Sequence, residues 1–250
     1  MHPILFKAGP LTFYSYGAML VLAFVAATWL AARAARRLPL ARRAISPSQL
    51  LDFSSLALVG GLVGARALFV ALHWDAFSSE PLEILAVWHG GLVWYGGFLG
   101  GLLGGACYVR AQRLSFLRVL DQFIPFLTLG HAIGRVGCLL NGCCYGKPTD
   151  AWCGVTFPDQ RVAVVPTQLV ESAGLLLLYA GLRALQRPSL LQYPGRVFGA
   201  YLAGYGALRF ALEFTRGDQA PWWMGLTLQQ AISLVACCAG VVLFGRSNRR

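Results

Sequence analysis

The sequence predicts an all-α, polytopic membrane helix bundle with about seven transmembrane helices, its N-terminus outside and its C-terminus in the cytoplasm. Composition is the first reason. Hydrophobic residues make up 57% of the chain and charged residues 12%, against about 45–50% and about 25% in soluble domains. The second reason is that the apolar residues form runs long enough to cross a hydrocarbon core of about 30 Å. A water-soluble globular fold is therefore not expected.

Seven such apolar runs divide the chain. They fall near 14–32, 50–72, 91–109, 119–141, 166–185, 197–215 and 226–244. Some contain closely spaced glycines, such as Gly60, Gly61 and Gly64 in the second run, and small residues of this kind let helix backbones approach each other. We therefore expect a compact bundle that forms a single integral membrane domain over 1–250.

The positions of the basic residues predict the orientation. The net charge of +11 is concentrated in the connections after the first, third and fifth runs and in the C-terminal tail. The positive-inside rule places these segments in the cytoplasm. The longest connections, 73–90 and 142–165, are then external. Because the arginines occupy membrane loops, we expect no nucleic-acid partner.

Three arginines interrupt the apolar runs: Arg66, Arg135 and Arg209. A charge inside a membrane span costs at least about 2.5 kcal/mol unless it is paired or faces a wet cavity. Glu171, near the start of the fifth run, is an available acidic partner. Glu213 is a second one, since it follows Arg209 by four residues on the same helical face.

With the predicted orientation, all three arginines lie in the external halves of their spans. Guanidinium groups bind phosphate bidentately and keep their charge, so the phosphate of a phospholipid headgroup suits this cluster. Other polar side chains fall at the same level: Tyr16, His89, Trp94, Tyr95, Asn141, Gln168 and Tyr205. For Tyr16 and Trp94, a place in the interfacial aromatic belt is the alternative. The pattern predicts an anionic lipid site and identifies no reaction.

A longer motif adds a resemblance to a known family. The segment 134–146 reads GRVGCLLNGCCYG and resembles the signature of the bacterial prolipoprotein diacylglyceryl transferases, usually G-R-x-G-N-x-x-N-x-E. Four other stretches match family motifs in order and spacing. They are YSYG at 14–17, HGGLVWYGG at 89–97, PTQLVES at 166–172 and YGALRFALEFTR at 205–216. The similarity spans nearly the whole chain.

The resemblance implies a transferase at the outer face of the bacterial inner membrane. Such an enzyme moves a diacylglyceryl group from phosphatidylglycerol to the lipobox cysteine of a prolipoprotein, which gives a thioether and glycerol phosphate. The implied partners are phosphatidylglycerol, the prolipoprotein signal peptide and membrane lipids, with no cofactor and no metal. Arg135 and Arg209 would hold the phosphate and stabilise the leaving group. The other implied binding residues are Tyr16, Arg66, Asn141, Gly142, Gly146, Glu171, Tyr205, Glu213 and Arg216.

The third-helix motif departs from the family at Tyr95, where a histidine that has been considered a base for the thiol usually stands. A tyrosine with an ordinary pKa of about 10 is a poor base near neutrality. His89, six residues earlier, or His131, one helical turn before Arg135, could take this role. Alternatively, strong polarisation of the phosphate by the arginines would make a base unnecessary.

The signature itself departs at Cys138 and Cys143, where the family usually has asparagine and glutamate. Together with Cys144 and Cys153 they form the pattern C-x4-C-C-x8-C, which is only weakly similar to the closer pairs typical of zinc sites. A disulfide from Cys138 or Cys143 to Cys153, unpaired buried thiols, and a metal site all stay open.

Two rival functions follow from these departures. One is a related membrane transferase that uses a different acceptor. The other is a non-catalytic lipid-binding or thiol-redox membrane protein in which the four cysteines are the functional element.

Overall fold

The structure is a computed structural model that describes residues 3–8, 11–158, 160–187, 193–216, 222 and 225–247. It begins with a short antiparallel hairpin of β1 (Ile4–Ala8) and β2 (Leu11–Tyr14). Phe6 and Phe13 face each other in the register and their rings stack at 4.4 Å. The sequence did not predict this hairpin, because strands of five and four residues offer too few alternations to stand out beside long apolar runs.

Helices account for most of the rest of the described chain. They are α1 (Ser15–Arg37), α2 (Pro47–Leu72), α3 (Trp74–Ser78), α4 (Trp94–Ala111), α5 (Phe116–Asn141), α6 (Thr167–Leu185), α7 (Arg196–Glu213) and α8 (Leu228–Ser247). Short 3-10 turns occur at Leu40–Arg42, Pro81–Leu85 and Val87–His89. All of these helices except α3 coincide with predicted apolar runs, so the all-α fold class is confirmed.

Five helical segments of the described chain are long and apolar enough to cross a membrane: Ser15–Arg37, Leu40–Leu72, Phe116–Asn141, Thr167–Leu185 and Leu228–Ser247. The chain is therefore a multi-pass membrane protein. The helices α4 and α7, with 18 residues each, are not among these five segments. A total of seven spans stays a prediction.

The chain divides into two compact units. The first unit comprises Met1–Ala31, Leu38–Arg42 and Leu120–Arg250, and the second comprises Ala32–Arg37 and Arg43–Val119. The expectation of a single membrane domain stays a prediction.

In the second unit, α2 and α4 pack through their glycines. A Cβ atom on Gly100 would lie 2.2 Å from the carbonyl oxygen of Gly60, and one on Gly64 would lie 2.4 Å from that of Gly96. These distances leave no room for a side chain. The close helix approach that the glycine spacing predicted is therefore present in this unit.

In the first unit, a buried carboxylate anchors the start of α7. Asp121 of α5 is 2% exposed and accepts hydrogen bonds from the backbone N–H groups of Gly195 and Phe198, at 2.5 and 2.8 Å. A carboxylate at a helix N-terminus satisfies donors that have no partner within the helix. This contact fixes α7 against α5 and so determines where the residues at the far end of α7 lie.

Candidate functional site

The candidate site lies in the first unit and centres on Glu171, near the start of α6. Nη2 of Arg135, on α5, lies 2.9 Å from Oε1 and 2.8 Å from Oε2 of this carboxylate. The hydroxyl of Tyr205, on α7, donates to Oε1 at 3.1 Å, and Nε2 of His131 lies 3.7 Å from the same atom. Three residues that the sequence singled out, Arg135, Tyr205 and His131, are thus brought together around the carboxylate of a fourth, Glu171.

The pairing of Arg135 leaves part of its guanidinium unused. Its side chain is 15% exposed and that of Glu171 is 3% exposed. The Nε atom of Arg135 is buried and has no hydrogen-bond partner among the residues that the structure describes. A guanidinium carries five N–H donors in a fixed plane, and Arg135 contacts Glu171 through Nη2. The exposed part of the guanidinium can therefore donate to an oxyanion while Glu171 holds the group in place.

A second arginine–glutamate pair lies on α7. Nη2 of Arg209 is 2.9 Å from Oε2 of Glu213, whose side chain is completely buried. The i,i+4 partnership expected from the spacing is therefore present. The hydroxyl of Thr227 donates to Oε1 of Glu213 at 2.9 Å, which holds the carboxylate from the other side.

Thr227 is a site residue that the sequence reasoning missed. It precedes α8, and it exchanges hydrogen bonds with Gln230 at 3.0 and 3.2 Å. A threonine followed three residues later by glutamine is the pattern of a capping box, so the helix start could have been found. Its bond to Glu213 had no signal in the sequence.

The remaining motif residues shape the backbone around the end of α5. Asn141 is the last residue of that helix and is exposed. Gly142 has φ +76°, a conformation that side chains rarely adopt. A Cβ atom on Gly146 would lie 2.6 Å from the carbonyl oxygen of Thr215. Both glycines are therefore required by the local backbone.

Tyr16 and Arg216 also lie beside these elements. Tyr16, at the start of α1, packs close to α5, since a Cβ atom on Gly137 would be 3.4 Å from its ring. Arg216 follows α7, and its backbone N–H donates to the carbonyl oxygen of Glu213 at 3.1 Å. The first unit thus brings α1, α5, α6, α7 and the residue preceding α8 to the candidate site.

Three of the four clustered cysteines meet at the end of α5, with Cys138 in its last turn and Cys143 and Cys144 just beyond it. The sulfur atoms of Cys138, Cys143 and Cys144 all lie within 4.8 Å of one another, and those of Cys143 and Cys144 are 3.7 Å apart. All seven cysteines lie in the described part of the chain and are free thiols, and Cys153 is exposed. The disulfide to Cys153 that the sequence left open is therefore not formed in this structure.

The neighbouring thiols, that of Cys138 foremost, lower the pKa of the Cys144 thiol, and the positive charge of Arg135 acts in the same direction. The cysteine segment is also tied to α6 by two short hydrogen bonds. The Thr167 hydroxyl donates to the carbonyl oxygen of Cys144, and the Gln168 amide donates to that of Cys143, both at 2.6 Å.

Arg66 lies in the second unit, and its guanidinium donates hydrogen bonds to four backbone carbonyl oxygens. Its Nε donates to Ile84 at 2.9 Å, its Nη1 donates to Gly90 at 2.7 Å and Gly91 at 3.1 Å, and its Nη2 donates to Glu83. These hydrogen bonds give partners to backbone carbonyl oxygens that have none within a regular helix. Arg66 therefore fixes the segment that contains the HGG motif.

The two other sequence-predicted residues of the second unit follow that segment. His89 ends a 3-10 turn, and its side chain lies outside the described part of the structure. Tyr95 stands in the first turn of α4 and is 44% exposed. Its ring packs edge-on against Trp94 at 5.3 Å.

Comparison with known proteins identifies similar sequences over nearly the whole chain. A family model described as prolipoprotein diacylglyceryl transferase matches residues 3–246. A phosphatidylglycerol–prolipoprotein diacylglyceryl transferase from Clostridium tetani is 32% identical, and the alignment covers 98% of this chain and 97% of the relative. A protein of the same name from Synechococcus elongatus is 34% identical, and the alignment covers 96% of this chain and 85% of the relative. A third, from Methylococcus capsulatus, is also 34% identical, over 99% of this chain and 96% of the relative.

Proposed function

The chain belongs to the prolipoprotein diacylglyceryl transferase family, and on this premise we propose how its residues carry out the transfer. It is a transferase that moves a diacylglyceryl group from phosphatidylglycerol to a prolipoprotein. We propose further that the acceptor is the thiol of a lipobox cysteine in the prolipoprotein and that the product is a thioether. We place the reaction at the outer face of the bacterial inner membrane, with the N-terminus outside and seven spans in a single domain.

Arg135 and Arg209 bind the phosphate of the lipid in this proposal. The observation that supports it is that Glu171 orients the Arg135 guanidinium through Nη2 while the side chain stays 15% exposed, which leaves further donors for an anion. Positive charge held at the phosphate stabilises the negative charge that develops on departing glycerol phosphate. Each arginine keeps a buried glutamate as a counter-ion, which reduces the cost of burying its charge.

In the chemical step, the acceptor sulfur forms a bond to the terminal glycerol carbon of the diacylglyceryl group. The bond from that carbon to the phosphate oxygen breaks, and its electron pair leaves with glycerol phosphate. Catalysis then depends mainly on positioning and electrostatics. His131 is a group available to take the thiol proton, since its side chain is 31% exposed and close to Glu171. Tyr95 and His89 are the alternatives.

The other residues support this arrangement. Tyr16 and Tyr205 shape the lipid site, whereas Glu171 and Glu213 orient the two arginines. Arg216, which follows α7, is a gating residue in this proposal. Asn141, Gly142 and Gly146 form the start of segment 142–165, which we propose to be external. Arg66 holds the HGG segment.

Transfer by the purified protein tests these roles. The protein is placed in nanodiscs that contain phosphatidylglycerol and is given a lipobox peptide, and mass spectrometry follows the gain of one diacylglyceryl group. We expect Arg135→Ala to lower the rate at least about 100-fold, and we expect little change from the control Arg110→Ala, at the end of α4. A rate in Arg135→Ala close to that of the wild type would refute the role of Arg135.

A further inference from the structure

The proposed transfer mechanism gives no role to the three thiols that meet at the end of α5. We propose that Cys138, Cys143 and Cys144 bind one zinc ion as a three-thiolate site, and that the open fourth position takes the acceptor thiol. This inference rests on the proposed function, because it concerns the thiol that the transferase modifies.

The distances between the sulfur atoms fit a zinc site. Tetrahedral zinc with Zn–S bonds of about 2.3 Å holds its sulfur ligands about 3.8 Å apart. The sulfur atoms of Cys143 and Cys144 are 3.7 Å apart, and that of Cys138 lies within 4.8 Å of both. Three protein ligands with one open position are typical of catalytic zinc rather than structural zinc.

The backbone of the cysteine segment is held in a conformation that supports ligation. Cys144 has φ +65°, a left-handed conformation that costs energy in residues with a side chain. Hydrogen bonds from Thr167 and Gln168 to the carbonyl oxygens of Cys144 and Cys143 hold this turn against α6. Gln168 is 1% exposed, and its Oε1 has no partner in the described part of the chain.

The thiols are also placed next to the phosphate site. Cys138 follows Arg135 by three residues in α5 and therefore lies on the same helical face, about one turn away. Gln168 and Glu171, which hold Cys143 and Arg135, are likewise one turn apart in α6. An acceptor sulfur bound at the cysteines would stand beside the lipid whose phosphate Arg135 holds.

In this arrangement the transfer needs no side-chain base to remove the proton of the acceptor thiol. The acceptor thiol releases its proton to water as it binds zinc, since a coordinating thiol is deprotonated. Its sulfur then attacks the terminal glycerol carbon, and the electron pair of the broken carbon–oxygen bond leaves with glycerol phosphate. This would explain together why the chain differs from the family motifs at Cys138, Cys143 and Tyr95. A thiol activated by zinc does not need the histidine that Tyr95 replaces.

Zinc binding by the full-length protein tests the site. Protein in detergent is dialysed against zinc chloride, and bound metal is measured by mass spectrometry. We expect one zinc per chain, and an affinity lower by about 10–100-fold or more in Cys138→Ser, Cys143→Ser and Cys144→Ser. Cys153→Ser, in the same connecting segment, is the matched control and should bind like the wild type. Absence of zinc from protein with reduced thiols would overturn the proposal.

The open position is tested with cobalt in place of zinc. We expect thiolate-to-cobalt absorption that changes when a lipobox peptide with cysteine is added and does not change with the serine version of that peptide. A spectrum that is insensitive to both peptides would overturn the role in acceptor binding. Protein that transfers the lipid but binds no zinc would refute this inference and leave the proposed function intact. Protein that binds zinc and peptide but transfers nothing would refute the proposed function.

Discussion

Arg135 places one guanidinium nitrogen, Nη2, within 2.9 Å of both carboxylate oxygens of Glu171. The pair joins α5 to α6, and Tyr205 adds α7 to it. Because Glu171 is almost completely buried, the orientation of the guanidinium is fixed before any lipid binds. Preorganised charge of this kind is what lets a site stabilise a leaving phosphate without reorganising during the reaction.

Glu171 should therefore matter to stability as well as to transfer. Glu171→Ala leaves Arg135 as an uncompensated buried charge, and we expect a loss of about 3–5 kcal/mol in the free energy of unfolding. The double variant Arg135→Met, Glu171→Leu should recover most of that loss and remain inactive. Thermal unfolding in detergent, followed with the transfer assay, measures both effects. A Glu171→Ala variant as stable as the wild type would contradict the pairing.

His131 and Tyr95 can be separated by substitution as groups that accept the thiol proton. If His131 is the base, His131→Asn should lower the transfer rate by about 100-fold or more, while Tyr95→Phe should leave it within a few-fold. The rates are compared at saturating peptide. If a metal-bound thiolate is the nucleophile, both variants should remain active. Loss of activity in Tyr95→Phe alone would contradict both accounts.

The helices were largely predictable from the sequence, because length and apolar content are local properties. The end of α5 at Asn141 and the pairing of Arg209 with Glu213 both follow from spacing along one helix. Glu171 was identified from the sequence only as an acidic residue available to the three arginines. Its pairing with Arg135 could not be predicted, because the two residues lie on different helices. The hairpin Ile4–Tyr14 left too short a pattern to be recognised.

The contacts of Arg66 and of the cysteines could not be predicted from the sequence either. A buried arginine in an apolar run predicts a partner, but backbone carbonyls of a loop, which Arg66 contacts, carry no mark in the sequence. The spacing C-x4-C-C-x8-C did not indicate which thiols meet, because that depends on the turn after Asn141. In that turn Cys144 adopts a left-handed conformation, and the thiols of Cys138, Cys143 and Cys144 meet, whereas Cys153 is not among them.

Thr227 should help to position Arg209, because its hydroxyl donates to Glu213, the partner of that arginine. Thr227→Val removes both the cap of α8 and the hydrogen bond to Glu213, and we expect a loss of about 1–3 kcal/mol in unfolding free energy. The transfer rate should fall because Arg209 loses part of its support. Thr227→Ser keeps the hydroxyl and is the matched control. Equal stability and equal rates in the two variants would show that the hydroxyl is irrelevant.

Arg66 should control the order of the segment 83–91 rather than phosphate binding. A lysine cannot reach the four carbonyls that the planar guanidinium contacts, so Arg66→Lys should accelerate amide hydrogen exchange in that segment. Arg110→Lys serves as the control. Unchanged exchange in 83–91, accompanied by a large rise in the lipid concentration needed for half-maximal rate, would instead assign Arg66 to the headgroup.

The packing of α2 on α4 gives a matched pair of glycine substitutions. A Cβ on Gly100 would meet the Gly60 carbonyl oxygen at 2.2 Å, whereas one on Gly97 would meet its nearest atom at 3.5 Å, an ordinary contact. Gly100→Ala should therefore destabilise the protein by about 1–3 kcal/mol. Gly97→Ala should be neutral or slightly stabilising, because alanine favours the helix. Unfolding in detergent compares them directly.

Complementation of a bacterial strain depleted of its own diacylglyceryl transferase tests the central claim most directly. The mass of a model lipoprotein is followed while this chain, or its Arg209→Ala variant, is expressed at equal levels. The account predicts a gain of one diacylglyceryl group with the wild type and none with the variant. Well-expressed wild-type protein that adds no mass would contradict it and would favour a different acceptor or a thiol-redox role for the cysteines.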